Sequence, residues 1–349
     1  MEGKLIHHYN MAFLDLLHRV VASHHLTALE AEQAMTLILD GAITTPQIAA
    51  FLVALRMKGE AGDEILGFAR AMRAHSVHID TGLDPASLLD TCGTGGDGLS
   101  TFNISTVTAL VVAGAGVKVA KHGNRSLASH CGSADILQAL GVNVNLTPEG
   151  MARCLNDVGF AFLFAPALHP AMKHAQPARA ELKMRTAFNL LGPLTNPAGA
   201  GAQLVGAPSE AAAELMAYAL SQLGVSRAFV VHGADGLDEI TTTAATSVFA
   251  VCRGEVERRT VTPEDFGIPR AHLRDLQALT IDDNVRLARA ILNGEAGHPR
   301  DVVVVNAAAA LVAADVVGDW KLGVERAAES IDSEAAARVL ERLVESTNT

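Results

Sequence analysis

From residue 87 onward, short apolar runs alternate with segments of helical periodicity, and this alternation constrains the fold more than any other feature of the chain. Runs this short have the length of buried strands, and the helices between them supply the crossovers that parallel strands require. The pattern therefore predicts an α/β domain with a mainly parallel sheet. We predict strands at residues 87–90, 117–121, 142–145, 160–164, 203–206, 227–232 and 247–252, and helices over residues 282–349.

The first 75 residues carry helical periodicity only. Apolar residues at 13, 16, 17, 20 and 21 form one amphipathic face. Thr27 and Glu30 have the spacing of a capping box that opens a second helix. Pro46 stands at the first turn of a third helix that ends at Gly59, and a fourth runs from about Asp63 to His75. A small helical unit thus precedes the α/β part.

Charge and cysteine usage limit the function classes. The formal net charge is −11, which disfavours binding to nucleic acids and to anionic membranes. No apolar stretch reaches the roughly 18 to 20 residues of a membrane-spanning helix, and the opening segment MEGKLIHHYN lacks the apolar core of a secretory signal. Cys92, Cys131, Cys154 and Cys252 form no C-x-x-C pair, so we expect reduced thiols and a cytoplasmic location.

Acidic residues are missing from two windows of this acidic chain. Residues 98–134 contain no Asp or Glu, and residues 158–209 contain only Glu181. Lys121, Arg125, Arg179 and other cations lie in these windows. Such local positive charge suits a small, highly charged anion. Chance depletion in buried helices is the alternative interpretation.

A glycine-rich segment, Gly93 to Gly98, follows the first predicted strand and precedes the helix that opens at residues 103–106. Glycines permit positive φ and a close backbone approach, and a helix N-terminus offers N–H groups to an oxyanion. The segment matches G-x-G-x-x-G, a weak signal alone. A dinucleotide site requires a carboxylate at the end of the next strand. That strand ends in Lys121 and His122, so the residues favour phosphate over a nicotinamide cofactor.

Residues 121–126, Lys-His-Gly-Asn-Arg-Ser, follow that strand directly. Ligands bind at the carboxyl ends of parallel strands, and this segment offers two cations, an amide and a hydroxyl there. Phosphate recognition is the natural use, with a solvated polar loop as the alternative. Lys118 lies three residues before Lys121, and this odd separation sends the two side chains to opposite faces of the sheet. The role of Lys118 stays open.

Asp238 and Glu239 lie in the loop after the strand at residues 227–232, with Asp235 close by. Adjacent carboxylates at such a position suit Mg²⁺, which takes one or two protein carboxylates together with substrate phosphates. A solvated acidic loop is the alternative. The pair Asp282 and Asp283 precedes a helix, and we interpret it as an N-cap and a first-turn carboxylate.

Arg179 lies in the second acid-depleted window and could pair with a substrate carboxylate through its guanidinium fork. A surface arginine on a helix is the alternative. The nearby histidines lack the H-x-x-x-H spacing of a zinc site, and neither a G-x-S-x-G elbow nor a cysteine nucleophile motif is present in the sequence.

Five segments together closely resemble the anthranilate phosphoribosyltransferase family: GTGGD at 93–97, NIST at 103–106, KHGNRS at 121–126, RTAFNLLGPLTNP at 185–197 and GLDE at 236–239. Their order and spacing agree with the family, and the resemblance covers essentially the whole chain. It implies the nucleoside phosphorylase and phosphoribosyltransferase fold class, usually as a homodimer. We accordingly expect a helical domain at residues 1–80, with a contribution from about 170–195, and an α/β domain at 81–349.

The resemblance also implies the site. It assigns Mg²⁺ to Ser105, Asp238 and Glu239, and catalytic roles to Lys121 and Arg179. It places anthranilate against Gly93, Asn124 and Arg179, with His122, His169 and Pro193 along its access path. It places 5-phosphoribosyl-1-diphosphate (PRPP) against Gly93, Gly96, Asp97, Thr101, Asn103, Ser105, Thr106, Lys121, Asn124, Arg125, Ser126 and Ser133. Gln138 stands where the family often has Glu, outside these motifs.

The implied reaction is transfer of the phosphoribosyl group from PRPP to the amine of anthranilate, with release of diphosphate, in tryptophan biosynthesis. The implied partners are these small molecules, without nucleic acid or membrane. Two alternatives share the fold. A pyrimidine nucleoside phosphorylase would have no use for the carboxylate pair, and a nucleic-acid-binding relative would need a basic surface, which the net charge of −11 opposes.

Overall fold

The computed structural model describes residues 2–95, 98–125 and 131–349. Its first part consists of helices whose caps follow from the sequence. Thr27 and Glu30 form the predicted capping box, Pro46 lies in the first turn of the third helix, and Gly59 ends that helix with φ 85°. The bounds are α1 Glu2–Val21, α2 Ala28–Leu39, α3 Thr45–Lys58 and α4 Gly62–Ala74. The four predicted helices are confirmed.

The second part is built on one seven-stranded sheet in the order β3-β2-β1-β4-β5-β6-β7. The five strands from β3 to β5 are parallel, and β6 and β7 add an antiparallel edge. The mainly parallel sheet is therefore confirmed. The bounds are β1 Leu88–Gly93, β2 Lys118–Gly123, β3 Phe160–Phe164, β4 Ala202–Gly206, β5 Arg227–Gly233, β6 Thr246–Cys252 and β7 Glu255–Val261.

Two strand predictions need correction. The predicted strand at 142–145 is wrong: Val142 and Val144 are buried, but the Asn143 amide donates to the Thr347 hydroxyl rather than to a neighbouring strand. Strand β7 is absent from the predicted strands, because this edge strand is mostly exposed and carries charged residues instead of an apolar alternation. The sequence cue for this hairpin is Gly254 in the turn before β7. Arg253 and Gly254 both have positive φ, as a two-residue hairpin turn requires.

The remaining helices cover the sheet and connect its strands. Thr147 is the N-cap of the helix over Pro148–Asp157, and its hydroxyl accepts the Gly150 backbone N–H at 3.2 Å. At α12 the N-cap is Thr280, so Asp282 and Asp283 both lie in the first turn and neither is the cap. The bounds are α5 Ile104–Gly114, α6 Ser133–Ala139, α7 Pro148–Asp157, α8 Ala165–Leu168, α9 Gln176–Leu182, α10 Phe188–Leu191, α11 Glu210–Gln222, α12 Ile281–Leu292, α13 His298–Ala313, α14 Trp320–Asp332 and α15 Ala335–Asn348.

Apolar side chains form two cores, which lie on opposite faces of the sheet at β4 to β6. One core joins α5, α13 and the C-terminal helices to the strands. The other joins α1 to α4, residues 175–194 and α11 to the opposite side of β4 to β6. Arg73 connects α4 to two other parts of this second core. Its Nε donates to the Leu194 carbonyl at 2.7 Å and its Nη1 to the Leu223 carbonyl at 3.3 Å. The helical part is thus packed directly against the α/β part.

The structure also bears on the cysteines and on membrane-spanning helices. Cys92, Cys131 and Cys154 are buried, Cys252 is exposed, and none of the four forms a disulfide, as expected for reduced thiols. No helix among the described residues is both long and apolar enough to cross a bilayer.

Candidate active site

The carboxyl ends of the central parallel strands meet at one edge of the sheet, and most of the predicted site residues lie there. Gly93 of β1 is in register with Gly206 of β4, which in turn is in register with Val231 of β5. On the other side of β1, strand β2 ends at Gly123. The glycine-rich loop after β1, the basic loop after β2 (from Asn124) and the acidic loop after β5 (residues 234–240) therefore all start at this edge of the sheet, as the parallel topology predicts.

Asp238 lies directly against the first glycines of the site. Its Oδ2 accepts the Gly95 backbone N–H at 2.9 Å. A Cβ at Gly93 would lie 2.8 Å from that oxygen, and a Cβ at Gly206 would lie 1.6 Å from the Asp238 carbonyl oxygen. Glycine at both positions is therefore a steric requirement for the acidic loop to cross the ends of β1 and β4.

Lys121 is almost completely buried, with 1% of its surface exposed. Its Nζ donates to the Thr91 carbonyl and, at 3.2 Å, to the Ser105 hydroxyl at the start of α5. Burial lowers the pKa of Lys121, while the carboxylates of Asp90 and Glu239 raise it. The lysine, the N-terminus of α5 and Glu239 are thus brought within electrostatic reach of one another.

Asp90 is a buried carboxyl that the sequence analysis did not select. It accepts the His122 backbone N–H at 3.0 Å and the Asn196 side-chain amide at 2.8 Å. Burial raises the pKa of Asp90 to about 6, and Lys121 opposes that shift. The same Asn196 amide also donates to the Ala120 carbonyl at 2.8 Å. Asp90 therefore joins β1, β2 and the segment after residue 190.

His122 and His169 form a buried pair beside this network. Their Nε2 atoms lie 3.2 Å apart, and His122 Nδ1 is 3.0 Å from the Gly192 carbonyl. Burial lowers the pKa of His122 to about 3 and that of His169 to about 4, and the proximity of the two rings further lowers the first. Both imidazoles are uncharged at neutral pH, so this side of the site is polar without carrying charge.

Three successive carbonyls at residues 192–194 are each held by a side chain from a different element. His122 of β2 bonds Gly192, Gln203 of β4 donates to the Pro193 carbonyl at 2.9 Å, and Arg73 of α4 donates to Leu194. Burial lowers the pKa of Arg73 to about 10. Pro193 thus occupies a segment fixed from three directions. Sequence reasoning missed Arg73 and Gln203, because neither lies in a motif.

Arg179 lies on α9 and stacks on Phe188, with its Cζ 5.2 Å from the ring centroid. Burial lowers the pKa of its guanidinium. Phe188 is the first residue of α10, so Arg179 packs on the helix that leads into residues 192–194. Arg185 lies three residues after the end of α9 and reaches the glycine-rich loop, where its Nη2 donates to the Gly95 carbonyl at 2.8 Å.

The other predicted PRPP contacts lie around the N-termini of α5 and α6. The Asn103 side chain bonds Asn284 and the Cys131 carbonyl. Thr101 forms an isolated bridge to Gln277, and Thr106 is fully buried. These residues position the start of α5.

The loop after β2 is held by α6. Ser133 donates to the Asn124 carbonyl at 3.2 Å, and a Cβ at Gly123 would lie 2.3 Å from the Ser133 hydroxyl. Arg125 bonds Asp135 at 2.9 Å and Gln138 at 2.8 Å. Gln138 thus helps to orient Arg125, which is predicted to contact PRPP. Gly96, Asp97 and Ser126, also predicted to bind PRPP, lie outside the described residues.

Asp235 and Lys118 both have partners within the protein. Asp235 accepts hydrogen bonds from the hydroxyls of Thr241 and Thr243 and from the Leu237 amide, so it braces the acidic loop internally. The Lys118 ammonium bonds the Leu155 and Asn156 carbonyls in the last turn of α7 at 3.1 and 2.7 Å. Lys118 therefore stabilises a helix C-terminus, away from the partners of Lys121.

The donor set at the acidic loop fits Mg²⁺. Asp238, Glu239 and Ser105 all offer oxygen, and the close approach of Asp238 to Gly93 and Gly206 fixes the loop at the strand ends. Within residues 2–95, 98–125 and 131–349, no three His, Cys, Asp or Glu side chains are grouped so that they could hold a metal ion by themselves. A cation that takes few protein carboxylates and completes its shell with phosphate oxygens and water matches this arrangement.

Comparison with known sequences identifies two matching family profiles. The α/β domain of the glycosyl transferase family matches residues 85–337, and its helical bundle domain matches residues 14–76. An anthranilate phosphoribosyltransferase of Solibacter usitatus is 57% identical over 96% of this chain and 98% of its own length. That of Moorella thermoacetica is 55% identical over 93% of this chain and 96% of its own.

Solved structures give the same result. Anthranilate phosphoribosyltransferase from Thermus thermophilus is 42% identical, with a TM-score of 0.90 over 95% of this chain and 99% of that protein. The Saccharomyces cerevisiae enzyme in complex with PRPP and Mg is 28% identical, with a TM-score of 0.86 over 96% and 98%. A further structure of the yeast enzyme contains 4-fluoroanthranilate.

Proposed function

The chain belongs to the anthranilate phosphoribosyltransferase family, and from this we propose that it transfers the phosphoribosyl group of PRPP to the amine of anthranilate, giving N-(5-phosphoribosyl)anthranilate and diphosphate. This reaction is a step of tryptophan biosynthesis. The observation that carries the proposal is the meeting of a buried lysine, the N-terminus of α5 and two adjacent carboxylates at one sheet edge. Those groups suit a diphosphate that gains negative charge as it leaves.

PRPP binds along the strand ends, against the glycine-rich loop, the start of α5 and the loop after β2. An ammonium has three N–H donors; Lys121 directs them toward Thr91, Ser105 and the diphosphate. Its burial strengthens each of these interactions, because the surroundings screen charge poorly. Backbone N–H groups at the start of α5 add partial positive charge. These donors are in place before the reaction, so they stabilise the leaving group without reorganisation.

Asp238, Glu239 and Ser105 hold Mg²⁺, which neutralises charge on the diphosphate when it is bound. Asp238 is itself held by the Gly95 amide. This hydrogen bond connects the glycine-rich loop to the acidic loop, so a shift of either loop displaces the other.

Anthranilate binds on the side of Arg179, whose fork suits a carboxylate. Gly93 and Asn124 border this position, and His122, His169 and Pro193 line the access path. The two neutral histidines are bonded to each other and to the Gly192 carbonyl, so they do not compete with Arg179 for the carboxylate of the substrate. Fixed carbonyls at 192–194 keep the path rigid.

In the reaction the C1–O bond to diphosphate breaks, and the amine nitrogen forms a bond to C1 and then loses a proton to solvent. An aromatic amine is uncharged at neutral pH, so the step needs no strong general base. Positioning by Arg179 and stabilisation of the leaving group by Lys121 supply the catalysis.

The direct test follows the loss of anthranilate fluorescence after the protein is mixed with PRPP, with and without Mg²⁺. We expect loss that requires the metal and that falls strongly in Asp238→Ala and Glu239→Ala. Turnover that is unchanged across a Mg²⁺ titration contradicts the metal assignment. No turnover by a folded protein contradicts the reaction, and assays with nucleosides plus phosphate, or with nucleic acid, then examine the two alternatives.

Three properties of the whole molecule belong to the same proposal. Residues 1–80, with about 170–195, form the helical domain, and residues 81–349 form the PRPP-binding domain. The protein is a homodimer, supported by exposed apolar side chains on α1 to α3, namely Met11, Val21, Leu29 and Met57. It works in the cytoplasm, which the lack of a disulfide among its four cysteines supports. Sedimentation equilibrium tests the dimer: a monomer mass at micromolar concentration contradicts it.

A further inference from the structure

Helix α13 contains a single polar residue in an otherwise apolar run. Residues 302–313 are Val, Ala and Leu except for Asn306, and Asn306 is fully buried. A buried amide is unfavourable unless all of its hydrogen bonds are made. Apolar residues on either side pack the same helix without that requirement, so the asparagine needs a specific explanation.

Asn306 makes two hydrogen bonds to one residue outside its own helix. Its Oδ1 accepts the Ile240 backbone N–H at 3.0 Å, and its Nδ2 donates to the Ile240 carbonyl at 2.8 Å. The second Nδ2 hydrogen bonds the Val302 carbonyl at 2.8 Å within α13. Ile240 itself is buried, with 1% exposed. The amide therefore holds both polar groups of one backbone residue where water does not reach.

Ile240 directly follows Glu239, so this contact fixes the end of the acidic loop. The other parts of the loop are fixed as well. The Gly233 amide donates to the Leu237 carbonyl at 2.8 Å, and Asp238 accepts from Gly95. The two carboxylates thus lie between an anchor in the glycine-rich loop and an anchor on α13.

We propose that Asn306 is a positioning residue that holds Asp238 and Glu239 in the arrangement that binds a divalent cation together with diphosphate. The inference rests on the proposed function. Removal of the amide leaves the Ile240 N–H and carbonyl buried without these partners, and the loop has to move to satisfy them. Because Glu239 is the adjacent residue, that movement displaces a metal ligand, and residues that orient ligands affect metal affinity strongly.

The test measures cation binding without turnover. Mn²⁺ serves as a paramagnetic probe, and free Mn²⁺ is quantified by electron paramagnetic resonance in the presence of diphosphate. Asn306→Leu keeps the volume of the side chain and removes its hydrogen bonds, and Asn306→Ser is a smaller change in case the leucine variant does not fold. Ser330→Ala is the matched control, because it removes a buried hydrogen bond from α14 to the Val111 carbonyl of α5.

We expect the Mn²⁺ dissociation constant to rise about 10- to 100-fold in the Asn306 variants and to stay within about twofold of wild type in Ser330→Ala. Wild-type affinity in folded Asn306 variants overturns the inference, and so does equal weakening in the control. The Asp238→Ala variant distinguishes a failure of the inference about Asn306 from a failure of the metal assignment. If it loses Mn²⁺ binding while the Asn306 variants keep it, only the inference fails. If it binds Mn²⁺ as wild type does, the metal assignment fails and the inference with it.

Discussion

Lys121 and His122 are neighbours on β2, and they serve two different regions of the site. Successive side chains of a strand point to opposite faces. Lys121 contacts Ser105 at the start of α5, whereas His122 contacts His169 and the Gly192 carbonyl on the other side. One strand end thus separates the region proposed for PRPP from the region proposed for anthranilate.

The two regions differ in the charge of their buried side chains. Lys121 is surrounded by carboxylates that oppose the effect of burial on its pKa. His122 and His169 have pKa values lowered to about 3 and about 4, so they stay neutral at neutral pH. Charge is therefore concentrated where a diphosphate has to be stabilised. On the other face the polar groups fix the backbone, and Arg179 supplies the positive charge.

The largest effect is expected when the charge on the PRPP face is removed. Lys121→Met keeps an unbranched chain in the same space. We expect kcat/KM for PRPP to fall by about 100-fold or more, because a preorganised donor to the leaving group is lost. The KM for anthranilate should change little. Steady-state kinetics with each substrate varied in turn measures both, and a selective change in the anthranilate KM would contradict the division between the faces.

A change at Arg179 should have the opposite selectivity. Arg179→Lys keeps the charge but loses the planar fork that pairs with a carboxylate. We expect the KM for anthranilate to rise about 10- to 100-fold, with little change in the KM for PRPP. Lys173→Ala, at an exposed cation in the same acid-depleted window, is the control and should leave both values unchanged. Equal effects on the two substrates would show that Arg179 does not distinguish them.

The neutral histidines predict a dependence of stability on pH. His169 has a pKa of about 4 in the folded protein against an ordinary value of 6.5. As pH falls from 6.5 to 4, the unfolded chain takes up a proton that the folded protein excludes. The free energy of unfolding therefore falls by about 1.4 kcal/mol per pH unit from this residue. In His169→Gln that contribution is absent, so the loss of stability on acidification should be smaller.

Urea unfolding at several pH values between 4 and 7 measures this difference. Asp90, with its pKa raised to about 6, contributes with the opposite sign: its stabilising effect is lost as pH rises from 3.8 to 6. That contribution is common to both proteins and cancels in the comparison. Parallel curves for wild type and His169→Gln would mean that the buried pair does not exclude protons.

The smallest effect is expected at Lys118, which lies on β2 with Lys121 and His122 but caps α7. Lys118→Met should lower the free energy of unfolding by about 1 kcal/mol, through lost hydrogen bonds to the last turn of that helix. Activity should not change. Thermal denaturation and the fluorescence assay measure the two quantities, and a loss of turnover at unchanged stability would connect this residue to the site.

Much of this site follows from sequence order. In a parallel sheet the loops after successive strands lie at the same edge, so Gly93, Lys121 and Asp238 could be assigned to one place from the predicted strands alone. Residues that act through contacts across the fold could not be found in this way. Gln203 and Arg73 meet at residues 192–194 only because β4 and α4 pack there, and Asn306 reaches Ile240 from a helix 66 residues away in the chain.

The sequence by itself determined the helices, most of the strands, the glycine-rich, basic and acidic loops and the family. These depend on local periodicity, on capping residues and on short motifs, all of which involve residues close in the chain. Tertiary structure alone decided that residues 142–145 pair with no strand, that β7 forms a charged edge, and that the two histidines are neutral. Those outcomes depend on burial and on partners distant in sequence, because the free energy of a polar group is set by what surrounds it.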